Sequence, residues 1–180
     1  EKALEIDPKI ARSHDLYAAA LATAARPADA AVAYRQAIAL NPELAGAYVG
    51  LGHVLKTLGL QDDGIAAYRS AIKLRPAFGE TYFSLSNLKT FEFTRKEVEA
   101  MEAYLADENI PNECRVHFAF SLGKSYEDSQ DYEKAFRSYR MANELHRQTI
   151  AYDPVQTQVA HERMRSTFDA DFFSKLLSVT

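Results

Sequence analysis

A constant step of 34 residues governs this chain. Pro8, Pro42 and Pro76 stand 34 apart, Ala3, Ala37 and Ala71 keep the same interval, and so do Tyr34 and Tyr68. Self-similarity at such a period means stacked copies of one supersecondary unit, since a unit that short cannot bury its apolar face alone. The best-formed copy begins at Ala45. Tyr48, Leu51 and Leu55 lie three and four residues apart, so they form one stripe of a first helix. Gly59 stands where that helix must stop, because glycine takes a left-handed cap conformation cheaply. Gly64, Tyr68 and Ala71 then mark a second helix, and the small Gly52 and Ala71 let two antiparallel helices approach closely. Pro76 cannot continue this helix and suits the first turn of the next.

The order is an aromatic, a Leu-Gly pair, a second large apolar residue, a small-x3-aromatic stretch and a closing proline. It resembles the tetratricopeptide (TPR) repeat. The resemblance implies an all-α fold, a right-handed TPR superhelix (α-solenoid), with a divergent helical C-terminal extension. We read a partial repeat at 1–8 and repeats at about 11–44, 45–78, 79–115 and 116–150. Residues 151–180 read as a helical cap or a connector to a downstream domain. Ala3 and Pro8 are in phase with the later repeats, so the expectation is a fragment that starts inside a repeat.

Along the chain, Asp7-Pro8 and Asn41-Pro42 each predict an N-cap followed by proline at the first helical position. His14, Tyr17, Ala18 and Leu21 form an inner stripe, answered by Ala30, Tyr34, Ala37 and Ile38. The third repeat opens with Tyr82, Leu85 and Leu88 and then departs from the pattern. Phe91 and Phe93 crowd the turn, and Glu102 takes the aromatic position of the second helix. Thr94-x-x-Glu97 is a capping box signal, with Val98, Met101 and Leu105 predicted inward. Gly123 follows the equivalent Ser86 by 37 residues, which predicts a loop lengthened by three between Ala106 and Cys114. The fourth repeat is clear in Leu122-Gly123-x-x-Tyr126 and Ala135-x-x-x-Tyr139-x-x-Ala142, and its second helix is expected to run toward Ile150. Asp153-Pro154 opens another helix.

Several function classes fall away on composition. A net charge of −4 provides no basic footprint for nucleic acid. No apolar run approaches the roughly 20 residues that cross a bilayer, and no charged-then-apolar secretory leader is expected. Cys114 is the lone cysteine, which excludes an internal disulfide and fits a reducing compartment, so the expected location is cytoplasmic. Cys114-x-x-His117 lacks two further ligands at metal-binding spacing, and neither metal nor cofactor is expected. His14 belongs to a packing stripe. Glu97, Glu99 and Glu102 read as a solvated helix face.

His117, Leu122-Gly123-Lys124, Tyr126-Glu127-Asp128, Asp131-Tyr132, Phe136, Asn143 and Tyr152-Asp153 together resemble the last repeat and linker of bacterial TPR-containing sulfotransferases. The resemblance implies a catalytic domain downstream. The Pro-Arg-Ser-Gly-Thr-like loop that holds the cofactor phosphate in that family is absent, so no catalytic residue carries over and the chain as it stands is not expected to be an enzyme. The implied function is a protein–protein interaction module with a peptide or partner protein in its concave groove. Two alternatives are a substrate-selecting wall of the sulfotransferase site and a spacer without ligand. Outward positions of the first helices line the groove: Asp15 with Ala19; Val49, His53 and Lys56; Phe83, Asn87 and Thr90; Phe120, Lys124 and Glu127. Candidate partner-binding residues are Asp15, Val49, His53, Lys56, Phe83, Asn87, Phe120 and Lys124. A carboxylate clamp of the chaperone type is not expected, since Asp15 and Ala19 stand where it needs Lys and Asn. The apolar Phe172, Phe173, Leu176 and Leu177 suggest a surface for a downstream domain or for self-association.

Overall fold

The computed structural model describes residues 10–88, 90–149 and 153–177, with side chains 175–177 excepted. The readings at 1–8, including Asp7-Pro8, and the Leu176 and Leu177 side chains lie outside it. Every regular element among the described residues is a helix. Residues 1–146 form one compact unit and 147–180 a second.

The first unit stacks α1 (Ala11–Thr23), α2 (Pro27–Leu40), α3 (Ala45–Thr57), α4 (Gln61–Leu74), α5 (Gly79–Ser86), α6 (Arg95–Ala106), α7 (Asn112–Asp128) and α8 (Tyr132–Thr149), the last three residues of α8 falling in the second unit. α1 packs on α2, α2 on α3 and α3 on α4, so pairs follow one another in chain order. Within a pair the second helix lays a tyrosine on a glycine of the first. A Cβ on Gly52 would stand 2.6 Å from the Tyr68 ring, and one on Gly123 would stand 2.5 Å from Tyr139. Only a missing side chain permits that approach. Tyr68 and Ala71 are fully buried by it.

The hairpin turns repeat one geometry. Ala25, Gly59 and Gln130 all have positive φ (57°, 76° and 63°). The following N–H groups of Arg26, Leu60 and Asp131 each donate to a carbonyl five residues back, on Leu21, Leu55 and Tyr126. This left-handed cap was foreseen only at Gly59. The prolines behave differently from expectation. Pro42 and Pro76 sit in turns, and the next helices begin three residues later at Ala45 and Gly79. Asn41 Oδ1 accepts from Glu43 N at 3.0 Å, so it closes its own turn and does not cap a helix. Asp153 does cap one, accepting from Val155 N (2.9 Å) and Gln156 N (3.3 Å), with Pro154 at the first helical position.

The third pair is irregular. α5 has eight residues against 13 in α1 and α3, and residues 87, 88 and 90–94 leave the helical path. Their apolar side chains fold inward: Leu88 and Phe91 join Val49, Tyr68 and Leu85 in one buried cluster, and Phe93 packs against it. α6 opens on the complete Thr94–Glu97 capping box. The loop, 107–111, has five residues against four at 41–44 and 75–78, so it lengthens by one and not by three. The larger gain is an N-terminal turn on α7, which starts at Asn112 and has 17 residues. That turn rests on α5. A Cβ on Gly79 would stand 2.3 Å from the Cys114 carbonyl oxygen.

The second unit holds α9 (Pro154–Thr167) and α10 (Ala170–Leu177). α9 has no buried residue, and Val155, Val159, Met164, Phe168, Phe172 and Phe173 are all exposed. Phe172 meets Phe168 and Phe173 edge-on at centroid distances of 5.1 and 5.4 Å. Among the described residues no helix is long and apolar enough to cross a membrane.

Candidate functional site

The inner wall of the first unit is carried by α3, α5 and α7. Helical spacing sets Phe83 and Asn87 one turn apart at the end of α5, and Phe120 and Lys124 one turn apart on α7. The direct packing of α5 on α7 brings these two pairs together. Phe83 tilts against Phe120 with ring centroids 6.0 Å apart, Phe120 continues to Tyr139 of α8 at 6.4 Å, and His117 stacks on the other side of Phe83 at 5.3 Å. Phe83, Ser86, Asn87, Phe120, Lys124 and Tyr139 line a cleft of about 330 Å³. Its polar groups are anchored from behind. Asn87 Nδ2 donates to the Phe83 carbonyl at 2.9 Å, Lys124 pairs with Asp128, and Tyr139 Oη donates to Glu127 Oε2 at 2.8 Å. Burial, followed by the bond to Glu127, pushes the Tyr139 hydroxyl far above its ordinary range, so it stays protonated and donating.

One repeat earlier, His53 on α3 points to the same wall. Its Nδ1 lies 2.9 Å from Tyr68 Oη, and its ring meets the Tyr68 ring edge-on at 5.5 Å. Burial lowers the His53 pKa from 6.5; the Glu80 carboxylate works against that shift and Lys56 adds to it. His117 is lowered in the same way by burial, again opposed by Glu80 and helped by His146. Tyr68 is pushed up to about 12, chiefly by burial and then by Glu80. The Glu80 carboxylate of the third repeat therefore acts on an imidazole of the second repeat and one of the fourth. In the first repeat, burial raises the Asp15 carboxyl, countered by Arg12, and Asp15 in turn helps raise Tyr34.

Of the eight residues named from sequence, Phe83, Asn87, Phe120 and Lys124 meet in one cleft. His53 and Lys56 stand beside it on α3, both exposed. Asp15 is half-buried on α1, two helix pairs before the cleft. Val49 is only 6% exposed and packs among Tyr68, Leu85 and Phe91, so it supports the wall from within and offers no surface. Glu80, His117 and Tyr139 were missed. The first two lie three residues before Phe83 and Phe120 on the same helical face, a signal already present in the spacing. Tyr139 was read only as a packing residue of a second helix. Among the described residues no group of His, Cys, Asp and Glu is placed to hold a metal ion.

Comparison with known proteins places residues 45–78 under the family profile described as tetratricopeptide repeat. Among solved structures, MamA superposes with a TM-score of 0.63 at 21% identity, covering 84% of this chain and 86% of that one. PilF of Pseudomonas aeruginosa gives 0.59 at 21% identity, with 79% and 64% covered. YrrB, described as a TPR protein with an unusual peptide-binding site, gives 0.51 at 16% identity, with 80% and 90% covered. At these identities the likeness is one of fold, and the fold is the all-α TPR solenoid. An uncharacterized protein of Aquifex aeolicus (strain VF5) is 27% identical over 89 residues, a match spanning 49% of this chain and 12% of that protein's length.

Proposed function

We propose that this TPR solenoid is a protein-interaction module that holds an extended peptide or partner segment along its inner wall. One observation carries the reading: Phe83, Phe120 and Tyr139 converge on a cleft with Asn87 and Lys124 at its rim. A cleft of about 330 Å³ is at the small end of ligand pockets and suits one large apolar side chain of a partner. Rigid aromatic rings provide contact area at low entropic cost, and buried aromatic anchors dominate the energetics of such interfaces. His53, Lys56 and Glu80 extend the wall with polar groups for the flanking partner backbone. The action is noncovalent. YrrB, with its peptide-binding site, supports the reading by analogy of fold alone.

Selection of peptides from a random display library on the intact chain tests it. The peptides recovered should share an aromatic or large aliphatic residue, and Phe120→Ala should weaken them by about tenfold or more, the usual cost of truncating an anchor. Peptides that bind Phe120→Ala and the unaltered chain equally would remove the cleft from the account. Failure to recover any peptide would favour the spacer. The finer reading places the solenoid before a sulfotransferase domain, with 151–180 as cap or connector and Phe172 and Phe173 packing on that domain. It rests on the sequence resemblance over roughly residues 80–173 alone. The sequence following Thr180 decides it, through the presence or absence of a phosphate-binding strand and loop.

A further inference from the structure

A second cavity lies among α6, α7 and α8, and it shares no residue with the aromatic cleft. Glu102, Leu105, Ala106, Arg115, Leu122, Tyr126, Lys134, Arg137, Ser138 and Met141 line an open hollow of about 410 Å³. On α7 it uses Leu122 and Tyr126, two residues on from Phe120 and Lys124. At 100° per residue that is the opposite side of the helix. Glu102 stands where the second and fourth repeats carry Tyr68 and Tyr139, and its carboxylate accepts from Tyr126 Oη.

The chemistry of the lining is asymmetric. Leu105, Ala106, Leu122, Met141 and the Tyr126 ring make an apolar floor, with Met141 43% exposed. Three cations, Arg115, Lys134 and Arg137, face one carboxylate, Glu102, which Tyr126 already engages. Arg115 is held in place by Nε donating to the Leu105 carbonyl (3.0 Å) and Nη1 to Asn112 Oδ1 (3.1 Å). Lys134 lies 5.2 Å from the Tyr126 ring centroid and 3.3 Å from Asp131, and Arg137 pairs with Glu133 one turn back. Asp131 and Glu133 are not part of the lining. Exposed pairs of this kind are weak, so both cations are available to an incoming anion.

We propose that this cavity binds a small amphipathic anion: a medium-length aliphatic chain on the apolar floor, with an anionic head such as a carboxylate between Lys134, Arg137 and Arg115. The three methionines make the test direct. Met101 is fully buried, Met141 lines the cavity, and Met164 is exposed on α9 in the other unit. With methyl-13C methionine in the whole chain, decanoate below its micellar concentration should move the Met141 signal saturably and leave Met101 and Met164 in place. Decyltrimethylammonium, with the same tail and opposite charge, should bind at least about tenfold more weakly. The double variant Lys134→Glu with Arg137→Glu should reverse that order. Ser138→Phe should fill the cavity and abolish the Met141 response; if that variant does not fold, the charge reversal decides alone. Equal affinity for the two head groups, or a Met164 response with the same midpoint as Met141, would overturn the proposal, the latter by revealing general adsorption to exposed apolar side chains.

Discussion

Adding one methyl group at Gly79 tests the packing that assembles the inner wall. The Cβ of Gly79→Ala would lie 2.3 Å from the Cys114 carbonyl oxygen, 3.1 Å from its carbonyl carbon and 3.0 Å from His117 Cβ. Backbone atoms in the first turn of α7 cannot rotate away as a side-chain tip can. Relief therefore requires α5 and α7 to separate by about 1 Å, the shortfall from ordinary contact. The same seam carries the Tyr82–Phe118 contact at 5.3 Å and the Phe83–His117 stack at 5.3 Å, so loosening it forfeits buried contact along its length. Overpacking of this kind costs about 1–3 kcal/mol. The helix-propensity gain of alanine over glycine, at most about 1 kcal/mol, is small at the first position of a helix. We expect a net loss of about 2 kcal/mol, or about 4–8 °C in melting temperature for a chain of this size. Gly46→Ala is the matched control, because a Cβ there meets nothing within 4 Å. Its expected effect is a gain of at most about 0.5 kcal/mol, since Gly46 is the second residue of α3. Thermal unfolding followed by far-UV circular dichroism reads both. Should Gly79→Ala melt with or above the unaltered chain, the extra turn of α7 does not rest on α5, and the reasoning about the wall fails with it.

Two further outcomes concern the buried Thr81 and the two imidazoles of the wall. Thr81 is fully buried on α5 and its hydroxyl has no hydrogen-bond partner among the described residues, so Thr81→Val, nearly the same shape, should raise stability by about 1 kcal/mol in urea titration; a loss would mean the hydroxyl is satisfied. His53 and His117 have folded pKa values lowered from 6.5 by burial, so protonation favours the unfolded chain. Their contribution is present above the unfolded pKa and is lost as pH falls from about 6.5 through the folded values. The raised Asp15 opposes this trend only at more acidic pH. Melting temperature should drop between pH 7.5 and 5.5, and His53→Gln with His117→Gln should flatten that drop; parallel curves would show the imidazoles to be solvated.

What the sequence discloses here divides along the line between periodic and non-periodic features. The left-handed Gly59, the Tyr68 on Gly52 and the Thr94–Glu97 capping box depend on residues close in sequence or on a contact repeated at each step, and all are legible. Ala25 and Gln130 adopt the same positive φ without glycine, because the hairpin imposes it and the two carbonyl-bonded caps outweigh a local cost of about 1 kcal/mol. The placement of Pro42 and Pro76 three residues ahead of their helices is not legible, since proline fits equally the first turn of a helix and the second position of a turn. Val49 shows the same limit. Its spacing marks it as an outward position, yet Leu85, Leu88 and Phe91 of the following repeat close over it. Exposure at that position is decided by a neighbour 36 residues or more away, not by its own helix.

The departures in the third repeat also explain why the candidate site lies where it does. A regular repeat would hold a full-length first helix and an aromatic in the second, leaving neighbouring first helices at their ordinary distance. Here α5 stops after eight residues, Phe91 turns inward, and α7 gains a turn that lands on Gly79. The three changes act together. Shortening α5 puts Asn87 at its C-terminal end, where its amide donates back to the Phe83 carbonyl and fixes the rim of the cleft. The approach at Gly79 draws α7 inward at its N-terminal end and places His117 flat against Phe83. Glu102, at the position that Tyr68 and Tyr139 hold in the second and fourth repeats, lines the second cavity. A solenoid gains nearest-neighbour stability from each identical step, so an irregular step forgoes part of that gain. Both cavities use α7, on its two sides, and Glu102→Tyr, at a residue that lines the second and not the first, is the change expected to fill the second while leaving the first.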